Sequence, residues 1–310
     1  KSDTYIDKNA VMNMEIEMLR SAAINAALER KDTIIVASVA AIYALQDPDE
    51  YRNLVIYLRR GDTIKRKELI NQLIEGQFKR NDLDLAPGTF RVSGEIIEIA
   101  PASTNEIYYR IEMFDDEIER ISEVDPVTGR SIKQYQVLPI FPAYSHASRH
   151  EKVIKACEAI KEELKDRVEY YRNLDLPLEK ERIETRTLHD IESLRELGMC
   201  PGIENYSMHI DGRKPGETPF TLFDYLPDDY LLVVDESHVT LPQIRGMFNG
   251  DRARKTTLVE YGFRLPSALE NRPLNYQEFE SKMKQAIFIS ATPGDYELES
   301  TKNKYVEQII

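Results

Sequence analysis

The sequence predicts an α/β protein in which a parallel sheet flanked by helices is interrupted by a long insertion. Three observations carry this. Residues 33–37, 231–234 and 286–289 are continuous apolar, β-rich runs, the pattern of strands covered on both faces. Each run ends in small or polar residues: Ser38, then Asp235-Glu236-Ser237-His238, then Ser290-Ala291-Thr292-Pro293. In open α/β sheets ligands gather at the carboxyl ends of strands, so these endings are the candidate chemistry. Finally, the stretch separating the first run from the other two is too long for a loop and should fold in its own right.

Taken in order, residues 10–30 read as a helix with Ile16, Leu19, Ala23, Ala26 and Ala27 on one face, leading into the first apolar run. Residues 1–47 are then the first part of the core. The insertion divides in two. Residues 48–147 begin with a helix at 64–78 and continue in strand-like stretches at 89–100, 107–114, 118–124 and 137–141, with Asp125-Pro126-Val127-Thr128-Gly129 as a turn of a small antiparallel sheet. Residues 148–228 open with charged helices carrying Ile154, Cys157, Ile160, Leu164 and Val168 on one stripe, and end in a Gly- and Pro-rich stretch. Residues 229–310 complete the core.

Hydrophobic residues at 42% and charged residues at 31% are ordinary for a globular protein. No apolar run approaches the ~20 residues of a membrane span, and the expected location is the cytoplasm. Cys157 and Cys200 lack metal-site spacing and read as reduced core residues. A formal charge of −13 argues against indiscriminate coating of nucleic acid. It does not exclude a local basic site: within 241–272, Arg245, Arg252, Arg254, Lys255, Arg264 and Arg272 outnumber Asp251, Glu260 and Glu270. The bland reading of that excess is a solvated surface.

The sharpest local signal is Leu231-Leu232-Val233-Val234-Asp235-Glu236-Ser237-His238. A buried strand delivering adjacent carboxylates is what a nucleotide hydrolase uses, one acid to hold magnesium and the next to orient water. That chemistry also needs G-x-x-x-x-G-K-[ST], which cradles phosphate. The nearest approach, Gly250 followed by Lys255-Thr256, lacks the glycine before the lysine and is a decoy. The missing loop would belong to a strand before Lys1, so the expectation is a chain truncated at its start, a piece that neither binds ATP tightly nor hydrolyses it alone.

The run from Val234 through His238, Arg245-Gly246-Met247-Phe248-Asn249-Gly250 and on to Lys255 resembles the signature of the UvrB family, the damage verifiers of bacterial nucleotide excision repair. Gly262-Phe263-Arg264-Leu265-Pro266, Ser290-Ala291-Thr292-Pro293-Gly294, Gly202-Ile203-Glu204-Asn205-Tyr206 and Gly88-Thr89-Phe90-Arg91-Val92 extend the likeness almost end to end. The resemblance implies a RecA-like superfamily 2 helicase core interrupted by an inserted α+β domain and a mainly helical module that lines the DNA path. It implies ATP and Mg2+ as cofactors, with Asp235 holding Mg through ATP and Glu236, Ser290 and Thr292 as catalytic partners. It implies DNA contacts at Tyr5, Arg20, Gln243, Arg245, Arg252, Arg254, Lys255 and Arg264, with Tyr5 on the returning strand of a hairpin that enters the duplex and stacks on bases. The inserted domain would bind UvrA through Arg80, Arg91, Arg110 and Glu112. The partners implied are UvrA, UvrC and damaged double-stranded DNA, within the excision nuclease complex and the SOS response, and no membrane.

Two departures stand out. Where the family carries an Arg-x-Arg pair this chain has Arg91-Val92-Ser93, and after Phe141-Pro142-Ala143 it reads Tyr144-Ser145-His146-Ala147 in place of Ser-His-Phe-Val. Two other classes compete with an ATP-dependent verifier. One is an interaction module like the UvrA-binding region of the transcription-repair coupling factor, which would not keep both Asp-Glu-Ser-His and Ser-Ala-Thr. The other is an unrelated helicase of the same superfamily, which would lack the Arg-Gly-Met-Phe-Asn-Gly run.

Overall fold

The computed structural model describes residues 14–308, which form two compact units. Of the described residues, the first unit takes those up to Glu29 together with Ile56–Tyr144, and the second takes the rest. In chain order the elements are α1 (Met14–Glu29), α2 (Pro48–Asn53), β1 (Ile56–Arg59), α3 (Arg66–Glu75), β2 (Lys79–Arg80), β3 (Thr89–Ser93), β4 (Ile96–Ile99), β5 (Tyr108–Phe114), β6 (Glu117–Val124), β7 (Ser131–Gln134) and β8 (Val137–Ile140). There follow α4 (His150–Asn173), α5 (Pro177–Leu197), α6 (Ser207–Asp211), β9 (Leu232–Val234), α7 (Ser237–Glu260), α8 (Tyr276–Lys282), β10 (Ala286–Phe288) and α9 (Asp295–Ser300).

In the first unit β2 to β7 make a six-stranded sheet in sequence order, antiparallel from β3 onward, while β1 pairs separately with β8. Alternation fixes the faces. Phe90, Ile97, Ile99, Ile111 and Ile121 point to one side, where Leu69 and Leu73 of α3 and Leu58 and Leu138 of the β1–β8 pair close the core. The turn between β6 and β7 forms as its residues dictate. The Asp125 carboxylate accepts from the amides of Val127 and Thr128, both at 2.8 Å, and Gly129 takes the left-handed conformation that closes it. In α1 the buried residues are Ser21, Ile24 and Ala27, whereas Ile16 and Leu19 are exposed. Three of the five positions expected on its apolar face are alanines, which give little contrast between faces.

The second unit is built on the antiparallel pair α4 and α5. Val153, Ala156, Cys157, Ile160, Leu164, Val168 and Tyr171 of α4 are buried, so the expected stripe holds except that Val153 and Ala156 do the work assigned to Ile154. Gly198 ends α5 in the left-handed conformation. Strands β9 and β10 pair in parallel, Leu232 opposite Ala286 and Val234 opposite Phe288. Residues 33–37 correct the sequence expectation: they form no strand, and Ile34 and Val36 are 93% and 95% exposed. High β propensity does not supply a pairing partner, and none of the described strands runs beside this segment. The β9–β10 pair is likewise covered on one face only. Leu232, Val234 and Phe288 pack on Ile42, Leu241, Ile244 and Phe279, while Val233 and Ile287 are exposed.

The second unit also closes the two points at which its chain departs for the insertion and returns. Glu50 is buried and accepts from Arg149, at the backbone amide (2.9 Å) and the guanidinium (3.0 and 3.1 Å), and pairs with Lys152 at 2.9 Å. Gln46 donates to Ser148 at 2.5 Å, and the Tyr225 hydroxyl donates to the Gln46 carbonyl at 2.9 Å.

Candidate functional site

The parallel register of β9 and β10 brings their carboxyl ends side by side. The amide of Ile289 donates to the carbonyl of Val234, and that of Ser237 to the carbonyl of Ile289, both at 3.0 Å. Asp235-Glu236 and Ser290-Thr292 therefore leave adjacent strands at the same end. Immediately after β9 the chain must turn into α7, and Glu236 makes the turn with φ 44° and ψ 48°. A non-glycine residue in that region costs about 1 kcal/mol or more. It is held there by the amides of Val239 and Thr240, which donate to its carbonyl at 2.9 and 3.0 Å. The Thr240 hydroxyl donates to the Asp235 carbonyl at 2.8 Å.

Both carboxylates are exposed. Asp235 Oδ1 accepts from the Glu236 amide at 3.0 Å, which leaves its other oxygen for a cation. His238 bridges the two strand ends: its Nδ1 lies 2.8 Å from Ser290 Oγ and 3.6 Å from Glu236 Oε2. Ser290 Oγ in turn accepts from the Thr292 amide at 3.0 Å. Beneath them Ser237 is buried and donates to Glu297 of α9 at 2.7 Å. The strand ends thus carry two adjacent exposed acids and a hydroxyl–imidazole link from one strand to the next. Among the described residues no group of three or more His, Cys, Asp or Glu could hold a metal ion.

The residues expected to touch DNA are divided between the two units, Arg20 in the first and the others described in the second. Tyr5 lies outside the described residues. Arg20, on α1, is exposed and pairs with Glu17 at 2.8 Å. On α7, Arg245 and Arg252 are two turns apart and share a face, whereas Gln243 and Arg254 lie on another. The Arg245 guanidinium stacks over Tyr276 at 4.3 Å and lies 5.2 Å from Tyr296, and Arg254 pairs with Asp251 at 3.1 Å. Arg252 is exposed and makes no ion pair among the described residues. Arg264 donates to the Phe263 carbonyl at 2.8 Å, and burial with the nearby Arg186 charge lowers its pKa.

Lys255 is a correction. It is buried, its ammonium 2.9 Å from Asp251 and donating to the Asn271 carbonyl, and burial pulls its pKa down despite that partner. Arg272, counted in the same basic excess, is also buried and pairs with Glu278 at 2.7 Å. Both hold the second unit together rather than facing a phosphate.

In the first unit Arg91, Arg110 and Glu112 lie on the sheet face opposite the core, whereas Arg80 is in register with the core residue Phe90. Cross-strand register places Arg91 on β3, Glu98 on β4 and Arg110 on β5 in one row. Glu98 is buried between the two arginines. Burial alone would raise its carboxyl, but the hydrogen bonds from Arg91 and Arg110 overcome that and lower its pKa. One pair along, Glu112 faces Arg120 of β6, whose Nε donates to it at 2.6 Å. Arg80, at the sheet edge, binds Asp82 at 3.0 Å. Sequence reasoning found the arginines and missed Glu98. The available signal was a lone acid inside the apolar run Ile96-Ile97-Glu98-Ile99.

Residues 56–146 match the UvrB interaction domain and residues 151–212 the UvrB third helical domain. Over 310 residues the chain is 54% identical to UvrABC system protein B of Geobacillus kaustophilus and to that of Bacillus caldotenax, covering 100% of itself and 47% of each relative. Over 309 residues it is 52% identical to UvrABC system protein B of Carboxydothermus hydrogenoformans, covering 46% of that protein. The chain thus spans about half the length of the curated relatives it matches.

Proposed function

We propose that this chain, UvrB-like along its whole length and carrying the UvrB interaction and third helical domains, verifies damage in bacterial nucleotide excision repair. UvrA loads it on damaged double-stranded DNA, and UvrC is recruited afterwards for incision. In this reading the second unit contributes to a RecA-like superfamily 2 helicase core working in the cytoplasm. The observation that carries it is the meeting of Asp235-Glu236 with Ser290-Thr292 at the ends of two parallel strands. An interaction-only module has no use for that arrangement.

The residues divide the chemistry by position. Asp235, first after β9 and with one oxygen uncommitted, shares magnesium with the nucleotide, and Glu236 beside it orients or deprotonates the attacking water. ATP supplies the phosphoryl group whose hydrolysis drives the conformational step. The His238–Ser290 contact ties the acid-bearing turn to the β10 end. The phosphate-cradling loop that completes such a site is not among these 310 residues. Arg91, Arg110 and Glu112, with Arg80 at the edge, dock UvrA. The full-length protein and its Asp235→Ala variant, loaded by UvrA onto a lesion-bearing duplex with and without ATP, test the reading. The variant should lose the ATP-dependent stable complex while still binding UvrA. An unchanged complex would remove the nucleotide site from this cluster.

A further inference from the structure

Arg91, Glu98 and Arg110 form a built unit rather than three neighbouring charges. Glu98 is 6% exposed, and both its oxygens are committed. One accepts from Arg91 Nε, and the other from Arg110 Nε at 2.9 Å. Arg110 is fixed a second time by donating from Nη2 to the Tyr108 hydroxyl at 2.9 Å. The two arginine side chains remain about a third exposed, 35% and 29%. Their inner nitrogens are therefore turned to Glu98, while the terminal nitrogens of Arg91 and Nη1 of Arg110 are left for something outside. Two guanidinium groups around one carboxylate leave the row positive, and planar outward donors match a carboxylate.

We propose that Glu98 is a positioning residue of the docking surface, holding Arg91 and Arg110 in one geometry that offers their outer nitrogens to carboxylates of an acidic partner surface. The inference rests on the reading that these arginines dock UvrA. Its physical content is preorganisation. An exposed arginine loses rotamer freedom when it is captured, and one already held by a buried acid loses less. Positioning and simple charge attraction give opposite signs. Neutralising Glu98 raises the local positive charge, so summed charge alone makes an acidic partner bind more tightly after Glu98→Gln. Positioning makes it bind more weakly, through faster dissociation.

The test uses the full-length protein and purified UvrA, with association and dissociation rates measured by biolayer interferometry. The variants are Glu98→Gln, Arg91→Ala, Arg110→Ala, Arg110→Lys and the Glu98→Gln/Arg91→Ala pair, each checked for folding by circular dichroism. Glu98→Gln should weaken binding on the order of tenfold, mostly in the dissociation rate, and Arg91→Ala should cost less in the Glu98→Gln background than in the wild type. Arg110→Lys, which keeps the charge and loses the fork, should also weaken binding and covers the case in which Glu98→Gln does not fold. Unchanged or tighter binding by Glu98→Gln, additive effects in the pair, or wild-type binding by Arg110→Lys overturns the positioning role while leaving the docking arginines in place. Wild-type binding by Arg91→Ala and Arg110→Ala overturns the docking reading itself, and the proposal with it.

Discussion

Removing the Glu50 carboxylate tests the joint at which the second unit's chain leaves for the insertion and returns. Burial would raise this carboxyl, but the hydrogen bonds from Arg149 and Lys152 outweigh it and bring it from 4.5 down to about 2. A depressed acid contributes stability that is fully present above its unfolded value and is lost as pH falls toward the folded one. The depression corresponds to about 3 kcal/mol at neutral pH. Because Arg149 is half exposed and rehydrates when released, we expect about 2–3 kcal/mol in practice. The perturbation is Glu50→Gln, which keeps the shape and removes the charge. Urea unfolding of wild type and variant gives the difference at each pH, and hydrogen exchange at the first turn of α4 localises it. The gap should be largest at pH 7 and shrink to about 1.5 kcal/mol or less at pH 3. An equal gap at both pH values would assign the loss to packing and refute the reasoning, as would a gap under about 0.5 kcal/mol at pH 7, the size of an ordinary surface change.

Glu236→Ala in the full-length protein should leave ATP binding nearly intact and slow hydrolysis at least about tenfold, since a general base contributes ~10²–10⁴-fold; nucleotide titration and turnover assays decide it, and wild-type turnover would reduce Glu236 to a structural acid. Truncating both Arg91 and Arg110 to Ala should abolish UvrA retention in a pull-down, each desolvated charge being worth ~2–5 kcal/mol, and full retention would return them to ordinary exposed strand charges. Gly262, at φ +71° with the Glu179 carbonyl 2.5 Å from where a Cβ would sit, should lose about 2 kcal/mol or more on Gly262→Ala, measured by denaturant unfolding. Gly246→Ala, in open space within α7, should instead gain about 0.5–1 kcal/mol in the same measurement, so a loss there would point to a contact this helix face makes elsewhere.

What was legible in the sequence divides by the range of the interaction that decides it. The inserted sheet was readable in part: Ile111 and Ile121 alternate with polar residues, and Asp125 and Gly129 encode their turn locally, but residues 89–100, read as one stretch, are the two strands β3 and β4, the short β2 and β7 were not read, and β8 pairs with β1 outside this sheet. Strand β1 was not readable, since Ile56–Arg59 pairs with β8 far along the chain. Residues 33–37 failed in the opposite direction, with the composition of a strand and no described partner. The placing of Asp235, Glu236, Ser290 and Thr292 at strand ends was legible because they lie within three residues of the end of an apolar run. Their link through His238 was not, because it depends on the β9–β10 register. Lys255 read as a free cation although Asp251 stands four residues before it, the spacing of a helical ion pair. Glu98 stood out only as a lone acid in an apolar run, and its role was not legible, because a strand acid reads as solvent-facing until cross-strand register places a cation on either side of it.

The contacts that close the crossing points bear on how the candidate surfaces can be separated by experiment. Glu50 with Arg149 and Lys152, Gln46 with Ser148, and Tyr225 with the Gln46 carbonyl all join residues of the second unit. That unit is therefore tied together across the insertion by its own side chains. Among the described residues, the side chains of Arg91, Glu98 and Arg110, by contrast, bond within the β3–β5 row and to Tyr108. Neither set of contacts borrows a residue from the other. Variants in the row should then change capture of an acidic partner while leaving the Asp235–Glu236 turn as it is, and Glu50→Gln should loosen the second unit while leaving the row paired. Nucleotide turnover that followed the row variants, with UvrA absent from the assay, would mean that coupling between the surfaces runs through the protein itself rather than through the partner.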